Sequence, residues 1–272
     1  MTAAPERLAE VYDRCAPGFG SGLGYFETFG ARLVELAAPA EGDRVLDVAA
    51  GRGACLFPAA ERVGPTGFVQ GVDLSAAMTA HLAADIAERG VANAAAARMD
   101  AQAPTVPEAA YDVVLCAFAL FLMPDPRRAA AGFRRALRPG GRCAVSVPAA
   151  PAVPDDAPGL AGLYHSYARV AGLGPRDRPA FGMDLQGLLR DAGLTGVAGA
   201  TRTARFVFPG IDAWWDWTWT IGTRALYERL TARRLRRMRA DVHTLLEPAL
   251  TRDGLPMTAR CHFATAVKPP QG

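Results

Sequence analysis

With 272 residues, 50% of them apolar and 21% charged, the chain has the make-up of one folded unit, or two at most, and not of a disordered protein. No apolar run approaches the roughly 18 residues that a membrane span needs, and no basic start with an apolar stretch behind it marks a leader, so a cytoplasmic protein that keeps away from membranes is expected. A net charge of +3 is too small to point to nucleic acid.

The five cysteines, Cys15, Cys55, Cys116, Cys143 and Cys261, are scattered and never spaced C-x-x-C, which argues against a disulfide framework or a zinc site. Lys268 is the only lysine, and the bias toward Ala, Gly, Pro and Arg fits a GC-rich bacterial coding sequence rather than a function.

In chain order, residues 1–40 read as two amphipathic helices split by a Pro/Gly turn, "LAEVYDRCAPGFG" then "YFETFGARLVELA". Strands and helices then alternate. "RVLDVAA" is a strand, "GACLFPAAERVG" a helix, "GFVQGVDLS" a second strand, and "AAMTAHLAADIAERG" a helix with Ser75 as N-cap and Gly90 as its stop. "AAAARMD" is a third strand, "YDVVLCAFA" a fourth, "DPRRAAAGFRRALRPGG" a helix opened by Asp125, and "RCAVSVPA" a fifth strand. The repetition implies a parallel sheet with helices on both faces. Residues 149–183 are rich in Pro and Gly and read as an insertion holding one short helix, "GLYHSYARVAGLG". A helix "DLQGLLRDAGL", a sixth strand "GVAGATRTARFVF", one aromatic-then-basic helical stretch over 212–248 and a seventh strand "MTARCHFATAVK" complete the chain.

The turn "VLDVAAGRG" (45–53) carries the chemistry. A strand that ends in glycines and feeds a helix lets backbone N–H groups approach a ligand at a helix N-terminus. Its A-A-G-R-G-A lacks the G-x-G-x-x-G of a dinucleotide fingerprint, and Asp47 in the strand end would repel a pyrophosphate. A nucleoside with a cationic tail fits better than a nicotinamide cofactor, although Asp73, 20 residues after Gly53, would suit the ribose of either. Asp100 ends the third strand. Helix capping would explain any one of these acids, but three at successive strand ends read together as a ligand site.

"VLDVAAGRG", "GVDLS", "RMDA", "YDVVLCAFAL" and "ALRPGGR", in this order and spacing, resemble the successive motifs of class I S-adenosylmethionine (SAM)-dependent methyltransferases, and within them the group of the ubiquinone/menaquinone-biosynthesis and many natural-product enzymes. "VYDRCAPGFG" is similar to that group's N-terminal lid segment, with Tyr12 as a lid residue. The resemblance implies an α/β, Rossmann-like, seven-stranded, mostly parallel sheet with helices on both faces, a helical lid (1–40), a SAM-binding core (41–148), cap insertions (149–183 and 212–250) and a last strand and tail (251–272), all in one domain. It implies that Gly51 and Gly53, with Ala49 where the family usually has its first glycine, let the backbone approach the cofactor. Asp47 would sit near the amino acid tail, Asp73 on the ribose, Leu74 and Met99 by the adenine, Asp100 and Ala101 at its amino edge, and Cys116, Ala117 and Phe118 along the methionine part.

Where many relatives carry His after the fourth strand, this chain has Phe121 and Leu122, an apolar surface without an obvious base. The acidic set of the metal-dependent catechol type is also missing there, so no metal is expected. His165 in the insertion is the first candidate general base and His243 the second; His81 and His262 are read as structural. Trp214 and Trp217 share one helical face and Trp215 and Trp219 another. Packing accounts for at least two of these rings, and with Tyr164 the rest suit a flat, apolar or aromatic acceptor. The arginines of "RLTARRLRRMRADV" form a solvated helix face, since aromatics are not interleaved as a single-strand binder requires. The expected enzyme methylates a small-molecule secondary metabolite at O, N or C. The alternatives are a relative that uses bound SAM only to shape a pocket for a cyclisation and, more remotely, a nicotinamide dehydrogenase. A homodimer is compatible with the sequence.

Overall fold

The computed structural model describes residues 4–174 and 181–270. Strands β1 (Arg44–Val48), β2 (Phe68–Asp73), β3 (Ala94–Arg98), β4 (Tyr111–Ala117), β5 (Leu137–Pro148), β6 (Thr195–Phe208) and β7 (Leu255–Val267) form one sheet of order β3-β2-β1-β4-β5-β7-β6. β1 to β5 are parallel and β7 runs against both its neighbours. The sheet is thus mostly parallel, with one reversed strand.

Alternation in the buried strands supplies both faces. Val45, Val113 and Leu115 point into one core, with α2 (Tyr25–Ala37) and α3 (Leu56–Val63), while Leu46, Val114 and Cys143 point into the other, with α5 (Pro126–Ala136) and α7 (Leu185–Asp191). Because both faces are covered, the central strands read as continuous apolar runs. α4 (Ala76–Glu88) follows β2, capped by Ser75, whose side chain accepts from the Met78 N–H.

Three elements lie across the carboxyl ends of the strands. α1 (Ala4–Cys15) and a 3-10 turn at Ala16–Gly18 form the N-terminal segment, α6 (Leu160–Val170) lies in the insertion after β5, and the β6–β7 connection adds α8 (Ile211–Thr218), α9 (Arg224–Tyr227) and α10 (Ala232–Leu246). The single helical stretch expected over 212–248 is therefore three helices. Residues 219–223 turn the chain because Trp219 and Thr220 close back onto the carbonyls of Asp216 and Trp217. Of the 149–183 insertion, residues 175–180 lie outside the described residues. Among the described residues no helix is long and apolar enough to cross a membrane.

Candidate active site

β1 is the middle of the switch in strand order, with β2 on one side and β4 on the other, and ligands of open α/β sheets bind beyond such a point. The strand leaves the core at Ala49 and turns through Gly51 and Gly53 into α3. Ala49 takes φ 56°, Gly51 53° and Gly53 85°. Ala49 thus costs its turn through its backbone, about 1 kcal/mol for a residue with a Cβ in the left-handed region, and not merely through the bulk of a methyl. Phe118, just past β4, sits at φ 55°. Two strained residues that are not glycine therefore flank the same crevice, as functional sites often show.

Asp73 braces the turn. Its Oδ2 accepts from the Gly51 N–H at 3.0 Å and its Oδ1 from the Ser75 N–H at 2.9 Å. A carboxylate has about four lone-pair sites, so it keeps room for a ligand's hydroxyls. Burial raises its pKa despite these backbone donors. Asp47 is 1% exposed, and its Oδ2 has no hydrogen-bond partner. Burial first, and the nearby Asp73 second, push its pKa up to about 8. Cys55 and Cys116 also face it, their thiols raised by burial and then by its charge. A buried acid with an orphan oxygen and an acidic neighbour fits the cationic amino acid tail of SAM, and a pyrophosphate would meet repulsion there.

The N-terminal segment is tied down over this turn. Asp13 Oδ1 accepts from the Ser75 hydroxyl at 2.5 Å and the Ala77 N–H at 2.9 Å, at the N-terminus of α4. Arg52 grips both Asp85 oxygens at 2.7 and 2.8 Å and donates to the Ala16 carbonyl at 2.9 Å. Phe19 stacks on Phe26 at 4.6 Å, close enough to the turn that a Cβ on Gly51 would lie 3.4 Å from its ring. Arg14 and Arg224 share Glu228, each at 2.7 Å, and so join α1 to α9.

These elements enclose a cavity of 530 Å³. Tyr12, Asp47, Ala49, Gly51, Asp73, Leu74, Met99, Asp100, Ala101, Ala117 and Phe118 line it on the turn and strand-end side, and Phe121, Leu122, Tyr164, His165, Trp214 and Trp217 on the cap side. Three expected residues lie elsewhere. Gly53 packs between α3 and α4, where a Cβ would sit 2.6 Å from Phe57 and 2.9 Å from Leu82. Cys116 is fully buried in the sheet. His243 is a correction: its Nε2 lies 2.8 Å from Asp212 Oδ1 and it does not reach the cavity, because α10 buries Met238, Val242 and Leu246 instead. The tryptophans divide as their spacing implies, Trp214 and Trp217 onto the cavity, Trp215 and Trp219 against Tyr227 at 4.7 and 4.8 Å.

Sequence reasoning passed over Asp13, Arg52, Phe19, Phe26 and Thr218. Asp13 and Phe19 stood in the quoted segment with Tyr12, and Arg52 between the glycines of the quoted turn; Phe26 and Thr218 are brought in only by folding.

A family model described as "Methyltransferase domain" matches residues 45–141, the stretch from β1 through the start of β5. The nocamycin O-methyltransferase of Saccharothrix syringae is 35% identical over 239 residues, covering 82% of this chain and 82% of its own length. The chain belongs to the class I SAM-dependent methyltransferases. Its cofactor is SAM. This methyltransferase is also 38% identical over 148 residues to the aklanonic acid methyltransferase of a Streptomyces strain, of which it spans 64%. Among solved structures, the YcgJ protein of Bacillus subtilis superposes with a TM-score of 0.60 at 18% identity, over 90% of this chain and 100% of that one. The [4+2]-cyclase SpnF does so with 0.60 at 20% identity, over 99% and 98%. At such identities these two show the Rossmann-like fold alone. A nicotinamide dehydrogenase is ruled out by the family.

Proposed function

We propose that this methyltransferase acts on a flat, largely apolar small molecule of secondary-metabolite type, independently of metal. The observation that carries this reading is a cavity that is acidic at the glycine turn and aromatic at the cap. The names of the two curated relatives, for nocamycin and aklanonic acid, support an acceptor of that kind.

Bound SAM supplies a methyl group on a positively charged sulfur. The chain's residues hold and align the reactants. Asp47 would face the cationic tail, Asp73 would offer its remaining lone pairs to the ribose hydroxyls, Leu74 and Met99 would flank the adenine, Asp100 and Ala101 would meet its amino edge, and Ala117 and Phe118 would border the methionine part. Phe121, Leu122, Trp214 and Trp217 clamp the acceptor, while Tyr12, Phe19 and Phe26 keep water out. Holding two reactants in line is worth up to about 7–11 kcal/mol of barrier. His165, which lines the cavity from α6, takes a proton at its imidazole where the acceptor must lose one. Five buried free thiols, a free-thiol pattern typical of reducing compartments, support a bacterial cytoplasmic location.

The test is incubation with SAM and a panel of polycyclic phenols and acids, aklanonic acid first. The expected result is a product heavier by one methyl group with one S-adenosylhomocysteine per turnover. A rearranged product of unchanged mass would establish the cyclase-like alternative instead.

A further inference from the structure

Tyr164 on α6, Tyr227 on α9 and Thr218 at the end of α8 form a chain of hydroxyls across the cap. Its far end sets its direction. Thr218 Oγ1 lies 2.6 Å from the Trp215 carbonyl oxygen, which can only accept, so the one Thr218 proton is spent there. Tyr227, 2.8 Å from Thr218 Oγ1, must then donate to it, and Tyr164 must donate to Tyr227. Each hydroxyl has one proton, so Tyr164 has none left to offer, and its oxygen can only accept.

The surroundings hold this polarity in place. Burial raises the Tyr227 phenol well above its ordinary value and pushes Tyr164 up to about 12, so both keep their protons at neutral pH. Tyr227 is 1% exposed, and Trp215 and Trp219 pack against its ring. Tyr164 lines the cavity with its ring edge-on to Trp214, at 6.4 Å between centroids.

We propose that the Tyr164 oxygen sets acceptor specificity by receiving a hydrogen bond from a hydroxyl or N–H of the methyl acceptor, selecting it over analogues that present only ether or carbonyl oxygens at that point. This rests on the acceptor pocket proposed above. Tyr164 is a positioning and specificity residue here, and the transferred methyl does not pass through it.

The test is calorimetry near neutral pH with two probes, β-naphthol and its methyl ether, on enzyme first saturated with S-adenosylhomocysteine. That saturation is itself a separate readout: no binding of S-adenosylhomocysteine sinks the cofactor site and says so before any probe is added. The expected result is about tenfold tighter binding of the naphthol, the order of one neutral hydrogen bond. Tyr164→Phe abolishes the preference without weakening the ether. Tyr227→Phe combined with Thr218→Val removes both acceptors of the Tyr164 proton, turns Tyr164 into a donor and tightens the ether. Equal binding of both probes to the native enzyme, a preference that survives Tyr164→Phe, or no binding of either probe overturns the proposal. Should Tyr164→Phe not fold, an unchanged preference in the Tyr227→Phe, Thr218→Val double variant overturns it alone.

Discussion

The two sides of the cavity are built in opposite ways. On the turn side, ligand-facing groups come from stretches of a few residues, Asp47 to Gly51, Asp73 to Ser75 and Met99 to Gln102, each at the end of a parallel strand and held by backbone hydrogen bonds. On the cap side, Tyr164 from α6, Trp214 and Thr218 from α8, and Phe121 from the turn after β4 come from three separate segments held by ring packing and side-chain hydrogen bonds. Local backbone geometry makes the first side the same for any acceptor. Non-local packing makes the second side particular to this chain, and open to change by one substitution.

If the cap side rests on packing, removing a ring there must cost the most. Trp217 is 3% exposed and meets Tyr25 and Phe208 at 5.5 Å each, so Trp217→Ala is expected to lose about 3–5 kcal/mol of stability, read by denaturant unfolding. A loss under 1 kcal/mol would mean that the cap stands without its aromatic core.

The turn side instead makes a prediction about charge. Asp47 keeps its proton in the folded, ligand-free protein up to about pH 8, whereas the unfolded chain loses it near 3.8, the ordinary aspartate value. The folded state thus binds more protons between these limits, so stability is full at the acid end, falls as pH rises, by about 1 kcal/mol per pH unit, and levels off above about 8. Asp73 is shifted the same way, so Asp47→Asn should make the slope shallower rather than flat. Binding of S-adenosylhomocysteine near neutral pH should release a proton in the native protein and none from this site in the variant, a difference that calorimetry in two buffers of unlike ionisation heat reports.

Asp73→Ala sharpens the contrast further, because that residue both braces the turn and lines the cavity. The expected outcome is at least tenfold weaker S-adenosylhomocysteine binding together with a stability loss of about 2 kcal/mol, from two partly buried N–H groups left without their acceptor. Unchanged affinity in a folded variant would remove Asp73 from the cofactor site. The smallest effect is expected where lid and cap meet at the surface. Arg14→Ala breaks a half-exposed ion pair worth under about 1 kcal/mol, and should raise the Michaelis constant for SAM a few-fold with little change in melting temperature.

How far the sequence could be read follows the same division. The succession of strands and helices in the core, the Ser75 and Asp125 caps and the acids at three strand ends were legible, because each depends on residues close together along the chain. His243 was misplaced because helix periodicity does not say which neighbour the apolar stripe of α10 will meet. Arg52 was passed over because its partners, Asp85 and the Ala16 carbonyl, are 33 and 36 residues away.

By itself, then, the sequence determined the parallel core, the glycine turn and the acids at the strand ends, since strand alternation, positive φ at glycine and capping act over a few residues. Only the tertiary structure decided that Tyr164, Tyr227 and Thr218 share one directed chain of protons, that Asp13 and Arg52 hold the lid, and that Ala49 pays in backbone strain. Hydrogen-bond direction and burial depend on what stands across the gap, and no spacing along the chain encodes that.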